Sequence, residues 1–200
     1  MRLADVCKIQ SGYTARGRLE DMGEGGTPVI SLKDFSRDGA LAVDVLHRVR
    51  LDGVSERFFC RSGDIVFRSR GERNTASVLS ENLRQSVVPL LPLMIIRPLS
   101  SIVLSDYLAW FINSPGSQAY FDAEAQGTSL RMISKASLSS LPIDIPSISV
   151  QQKIVDVAVL LSRERAMMAD LSNLRERMVL LSLKAAASKY SNAKQKVLKR

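Results

Sequence analysis

From residue 150 to residue 188 the chain runs VQQKIVDVAVLLSRERAMMADLSNLRERMVLLSLKAAAS, 39 residues without a glycine or a proline. Ala, Leu, Met, Arg, Lys, Gln and Glu dominate the stretch, so its composition favours one continuous α-helix. At a rise of about 1.5 Å per residue such a helix reaches roughly 55–60 Å, longer than a small domain is wide. Its far half would therefore run past any domain that the rest of a 200-residue chain could build.

The apolar positions of this stretch form a stripe. Ile154, Leu161 and Met168 fall seven apart, and Val157 and Leu171 follow the first and third of them by three. Glu164 interrupts the seam. From Leu171 the stripe continues through Leu174, Met178, Leu181 and Ala185 in steps of three and four, with Arg175 beside it. A heptad-like seam of this kind is what a helix presents to a partner helix, and its drift suits a nearly straight pair better than a long supercoil. We take Ile154, Val157, Leu161, Met168, Leu171, Leu174, Met178 and Leu181 as the dimerisation residues. Packing of the stripe on the chain's own domain is the competing expectation.

The preceding 149 residues read differently. TPVISL (27–32), GDIVFR (63–68), SVVPLLPLMIIRP (86–98) and LPIDIP (141–146) are apolar, β-branched runs bounded by Gly, Pro or Ser, as strands are. Pro89 and Pro92 argue against a long central strand in the third. SDYLAWFINSPGSQAYFDAEA (105–125) reads as helix, with Ser105 as a cap and a break at Ser114-Pro115-Gly116. The expected fold class is α+β: a mixed strand and helix domain over 1–149, a long amphipathic helix over 150–188 and a basic tail over 189–200. The tail, KYSNAKQKVLKR, carries five basic groups and no acid and reads as a frayed, solvated end.

The net charge of +8 suggests a polyanionic partner, but it is unevenly spread. Residues 1–149 hold 17 Lys and Arg against 16 Asp and Glu, whereas residues 150–200 hold 11 against 4. The first part must therefore rely on local clusters if it binds nucleic acid. Of its 17 basic residues 14 are arginine, the side chain suited to bidentate contact with phosphate or guanine. The densest cluster is GDIVFRSRGERN, where Arg68, Arg70 and Arg73 follow a strand at once, with Gly71 among them and Asn74 and Thr75 after them. Spacing alone leaves two readings open: a DNA-contacting loop, or a surface salt network with Asp64, Glu72 and Glu81. Arg131 and Lys135, either side of Ile133 and close to Thr128 and Ser129, form a second candidate patch.

Several classes are poorly served by the sequence. Two cysteines, Cys7 and Cys60, and one histidine, His47, cannot supply the ligands of a structural zinc site. The cysteines are expected as free buried thiols. The acids are scattered singly, unlike the clustered carboxylates of a metal-dependent nuclease. Asn113-Ser114-Pro115-Gly116 only superficially echoes an amino-methyltransferase motif, and no glycine-rich cofactor loop accompanies it. We therefore expect a non-catalytic chain with no metal and no cofactor. No apolar run approaches the length of a membrane span and MRLADVCKIQ lacks a signal-peptide centre, so a cytoplasmic location without membrane contact is expected.

The order of these elements resembles a family. GTSLRMISKASLSSLPIDIPSISVQQKI, residues 127–154, followed by a long amphipathic helix, resembles the end of a target recognition domain in the specificity subunits of type I restriction-modification systems. There a Gly-Thr pair, an Ile, a Leu-Pro-Ile-x-x-Pro strand and a Gln-Gln-Lys-Ile helix start follow one another. YLAWFINSP, GDIVFRSRG and LADVCKIQSGYT also resemble its landmarks, so the likeness covers nearly the whole chain. Ser147 and Val150 stand where the family usually has a second Pro and a Glu. The resemblance implies a half-length form, since a full subunit carries two such domains joined by two antiparallel helices. It also implies double-stranded DNA as ligand, a methyltransferase subunit as partner with S-adenosylmethionine bound there, and a restriction subunit where one exists. It favours the DNA reading of Arg68, Arg70, Arg73, Asn74 and Thr75, and of Thr128, Ser129, Arg131 and Lys135. A homodimer would supply the missing second helix and read an interrupted palindrome. The rival function is a helix-mediated interaction module that reads no DNA sequence.

Overall fold

The computed structural model describes residues 1–197 apart from 16, 18, 37–38, 43–45, 72, 81–82, 84, 100 and 126–131, with only the backbone described at 24, 186 and 188–197. The chain forms two compact units, Met1–Val155 and Asp156–Arg200.

The first unit is built on a four-stranded antiparallel sheet. Its strands are β1 (Cys7–Ser11), β4 (Ile65–Arg68), β5 (Ala76–Val78) and β7 (Leu93–Pro98), in the order β1-β7-β4-β5. Both faces of the two central strands are buried. On one side Ile65, Phe67, Met94 and Ile96 join a core with helices α1 (Ser105–Ile112), α2 (Pro115–Glu124) and α3 (Lys135–Ser140). On the other, Val66, Leu93 and Ile95 pack with Ile30, Phe35, Cys60, Leu79 and Val87. Two-sided burial explains why Ile-Val-Phe and Leu-Met-Ile-Ile show no polar alternation. A smaller sheet, β3-β2-β6, pairs β2 (Thr27–Ile30) antiparallel with β3 (Arg48–Val49) and parallel with β6 (Val88–Pro89).

Several sequence expectations change in detail. The 86–98 run is two strands in two sheets, because the turn at Leu90–Pro92, with a cis Leu91-Pro92 bond, passes the chain from β6 to β7. Its second half is a central strand after all, since Pro89 and Pro92 precede it and Pro98 stands only at its end. LPIDIP makes only an isolated bridge, Pro142 to Arg2, because Pro142 and Pro146 offer no donor to a ladder. The cap of α1 is Leu104, not Ser105, whose hydroxyl instead donates to the Gly63 carbonyl at 2.7 Å. Cys7 and Cys60 are free and buried, and burial pushes both thiols up to about 12, which keeps them protonated and unreactive at neutral pH.

The long helix α4 spans Ile148–Val197, 50 residues. It continues through most of the stretch expected to fray, as its Ala, Lys and Gln content permits. Its first two turns belong to the first unit. Gln151 is fully buried there, accepting from Leu104 N at 2.9 Å and donating to Ile102 O at 3.0 Å and Pro146 O at 2.8 Å. The amide thus satisfies backbone groups ahead of α1 and ahead of α4 at once. Val155 lies in the core and Ile154 packs against it, so Ile154 leaves the proposed dimer stripe. No described helix is long and apolar enough to cross a membrane.

Removing the Gln151 amide leaves Leu104 N and Ile102 O buried without partners, at about 1–3 kcal/mol for each group. Gln151→Ala should therefore lower stability by roughly 2–5 kcal/mol in a urea unfolding curve. The exposed neighbour Lys153 should tolerate alanine within about 0.5 kcal/mol.

Candidate nucleic-acid interface

The arginine cluster leaves β4 at the end of the sheet where β1 finishes and β7 begins. Antiparallel pairing sets this, since Arg68 lies opposite Leu93, and Met94 opposite both Phe67 and Ser11. Three connections meet there: the residues after β1, the Leu90–Pro92 turn and the loop from Ser69 to Thr75. Side chains and backbone groups tie them together. The Ser69 hydroxyl donates to Pro92 O, Tyr13 N donates to Pro89 O at 2.8 Å and Leu91 N to Tyr13 O at 3.0 Å.

The loop is held at both its ends and from beneath. Arg68 N donates to Thr75 O at 2.7 Å, and the buried Asn74 donates through its amide to Arg68 O at 3.2 Å. Asn113 at the end of α1 accepts from Ala76 N and donates to Ala76 O, both at 2.8 Å, as a neighbouring strand residue would. Gln118 of α2 donates to Asn74 O at 2.9 Å. The sequence YLAWFINSP therefore supports the loop. Its Asn113 is a structural amide engaged on both sides.

These contacts divide the candidate residues. Arg68 is half-buried and its Nε donates to Arg70 O at 3.2 Å. Its guanidinium lies where a Cβ on Gly71 would be, 2.6 Å from Nη2, and Gly71 has φ +133°. Gly71 thus makes room for an arginine of its own loop, a reason the sequence did not show. Arg70 and Arg73 are exposed. The Asn74 amide is turned inward, and the half-buried Thr75 hydroxyl donates to Gly39 O at 3.4 Å. Of the five, Arg70 and Arg73 are the side chains placed to reach a ligand.

Of the second candidate patch, the structure places Lys135 near this loop. Ile133 N donates to Ser69 O at 2.8 Å and Met132 bridges to Arg70, which brings the exposed Lys135 at the start of α3 into the same neighbourhood. Thr128, Ser129 and Arg131 lie outside the described residues. Asp64, the acid offered for a salt network, pairs instead with Arg97 at 3.4 Å and accepts from Arg61 N at 3.0 Å. Glu72 and Glu81 are outside the described residues. Among the described residues no carboxylate forms a salt bridge with Arg68, Arg70 or Arg73. Arginines on a braced loop, without a carboxylate partner among the described residues, suit an anionic ligand, and their planar forks suit phosphate or a guanine edge.

The second unit offers a different kind of surface. Val157, Leu161, Met168, Leu171, Leu174, Met178 and Leu181 are all exposed along α4, at 43–65% of full accessibility. Leu160 and Met167, also exposed, complete a regular seam that the sequence reading missed: Val157, Leu160, Glu164, Met167, Leu171, Leu174, Met178, Leu181 and Ala185 alternate steps of three and four. Glu164 alone breaks it. Leu161 and Met168 widen the face before Leu171, and Arg175 and Ser182 hold the corresponding places after it.

Comparison with known proteins agrees with this architecture. The family model described as the type I restriction modification DNA specificity domain matches residues 1–163. No curated protein matches the chain by sequence. Among solved structures, the HsdS subunit from Thermoanaerobacter tengcongensis superposes with a TM-score of 0.60 at 19% identity, over 83% of this chain and 37% of that one. A chain from work on complex assembly and conformational transition of the type I R-M system gives 0.62 at 19% identity, over 84% and 38%. The S subunit of a type I restriction-modification system from M. genitalium gives 0.56 at 12% identity, over 86% and 40%. The chain thus spans well under half the length of these structures while sharing their fold. With its strand-rich domain, its braced arginine loop and its long helix, the chain belongs to the type I restriction modification DNA specificity domain family.

Proposed function

We infer that this chain is a non-catalytic, sequence-reading DNA-binding subunit that directs a partner DNA methyltransferase, and a restriction subunit where one exists, to its site. Membership of the specificity-domain family supports the subunit class. The observation that carries the DNA reading is the arginine loop, fixed by Asn113, Gln118 and Asn74 and free of carboxylate partners among the described residues. Preorganisation matters because an ordered loop loses little freedom on binding. Arg70, Arg73 and Lys135 contact phosphates or base edges, while Arg68 positions the loop. Thr128, Ser129 and Arg131 contribute from the adjoining segment. S-adenosylmethionine is bound by the methyltransferase partner.

Two copies of the chain pair through α4. The exposed seam from Val157 to Ala185 supports this reading, because an apolar face of this length in water is covered by another helix. A two-fold dimer would then carry two identical domains, and its target would be an interrupted inverted repeat whose spacing is set by the helix pair.

The DNA reading is tested by duplex selection with the cognate methyltransferase present. We expect two related half-sites in inverted order, and a one-base-pair insertion between them should abolish most binding. Arg70→Ala should cost about 1–3 kcal/mol per half-site at one position if it reads a base, or weaken all sequences alike if it holds phosphate. A continuous motif, or two unrelated halves, contradicts the symmetric reading. Affinity that does not fall with added salt contradicts DNA binding itself.

For the dimer, sedimentation at roughly ten micromolar, far above the Kd of a stable interface, should give twice the monomer mass. Replacing Leu171 and Leu174 together with Glu should yield monomers, because the carboxylates would have to be buried without partners. A wild-type monomer at that concentration contradicts the pairing.

A further inference from the structure

A groove of about 700 Å³ opens beside the same end of the sheet, on the other side of the Leu90–Pro92 turn from the arginine loop. Tyr13 and Phe58 form one wall, with ring centroids 5.3 Å apart at 79°, and the Arg57 guanidinium sits 4.7 Å over the Phe58 ring. The Arg57 carbonyl accepts from the Gln10 side chain at 2.6 Å, which fastens this segment to β1. Thr14, Glu20, Arg50 and Asp52 add polar groups to the lining.

The position of the groove ties it to the arginine loop. Tyr13 is bonded to one side of the Leu90–Pro92 turn and Ser69 to the other. Tyr13 follows β1 and Ser69 follows β4, the strands on either side of β7, so these two residues stand about two strand spacings apart, roughly 10 Å. That distance is about three base-pair steps along a duplex at 3.4 Å per step. DNA held by Arg70 and Arg73 would have the groove within the same short footprint.

The chemistry of the groove differs from that of the loop. Among the described residues two arginines and two carboxylates line it, so it sets hydrogen-bond donors beside acceptors, where a plain phosphate site would present donors alone. The combination instead matches the major-groove edge of one base pair: an arginine fork fits the O6 and N7 acceptors of guanine, and a carboxylate accepts from N4 of cytosine. Arg57 is suited to the first role because the Phe58 ring, itself packed on Tyr13, restrains its guanidinium. Among the described residues Arg57 has no salt bridge that would have to break first.

We propose that the groove between Tyr13, Phe58, Arg57 and Asp52 is a second base-reading element, and that it recognises a single G·C pair about three steps from the pair nearest the arginine loop. Arg57 donates to guanine and Asp52 accepts from cytosine. This rests on the DNA-binding role inferred above and adds a position and a base identity to it.

The test uses the full chain with its partner methyltransferase, selecting from a pool of random duplexes. Wild type should recover a site containing the G·C pair. Arg57→Ala and Asp52→Asn should each recover the same site with that one position degenerate, losing about 5- to 150-fold discrimination there while the rest of the site is kept. Arg57→Lys, which keeps the charge and loses the fork, should behave like Arg57→Ala. The proposal is overturned if the variants recover the wild-type site unchanged. It is equally overturned if they weaken all sequences alike and lower the salt slope by about one, the mark of a phosphate contact. If wild type itself recovers no site, the DNA-reading role fails and the groove assignment fails with it, which separates the two outcomes.

Discussion

The pairing of β4 with β7 is the constraint on which the rest of the domain depends. Ile65 and Phe67 reach the helix-side core while Val66 reaches the opposite one, and Met94, Ile96, Leu93 and Ile95 divide in the same way. A slip of one residue would exchange the two sets, so burial on both faces fixes the register strongly. Each such side chain contributes about 1.5–3 kcal/mol on burial. The functional consequence lies at the sheet's end, where this register sets the Leu90–Pro92 turn beside the Arg68–Thr75 loop and lets Ser69 bond across to Pro92. A loop with three arginines would repel itself if left loose. Here strand pairing and amide contacts hold it before any ligand arrives.

The same logic extends to the start of α4. Gln151, buried at the foot of the helix, fills the hydrogen-bonding needs of the chain ahead of α1 and of Pro146 with one side chain. That is a physical reason for a glutamine at the opening of this helix. An apolar residue there would leave buried backbone groups without partners. Beyond Val155 the helix changes character, from a face packed in the domain to an exposed seam of Val, Leu and Met. One continuous element thus begins in the core of the first unit and carries an exposed apolar seam through the second.

Much of this was legible in the sequence, for particular reasons. The long helix showed itself through the absence of Gly and Pro, and the two central strands through unbroken apolar runs. The family likeness rested on GDIVFRSRG, YLAWFINSP and the Gln-Gln-Lys-Ile start, and the match over residues 1–163 agrees with it. What stayed hidden was non-local. That Asn113 would bond to Ala76, Asn74 to Arg68 and Gln151 to Leu104 depends on contacts across 6 to 47 positions of sequence, which no spacing rule reports. The inward turn of Asn74 and the folding of Arg68 over Gly71 belong to the same class. LPIDIP looked like a strand because its residues favour one, yet its prolines leave it with a single bridge. The Tyr13–Phe58 groove escaped notice because its walls come from segments more than forty positions apart.

The central claim is that one end of the main sheet is the DNA-binding surface. Amide hydrogen exchange of the full chain, measured with and without a selected duplex, tests it most directly. The account predicts slowed exchange at Tyr13–Ala15, Ser69–Thr75 and Leu90–Leu91, and unchanged exchange at Asp106–Phe111, which forms part of the helix layer behind the sheet. Slowed exchange confined to the helix layer or to α4, with the loop and turn amides unaltered, would contradict it.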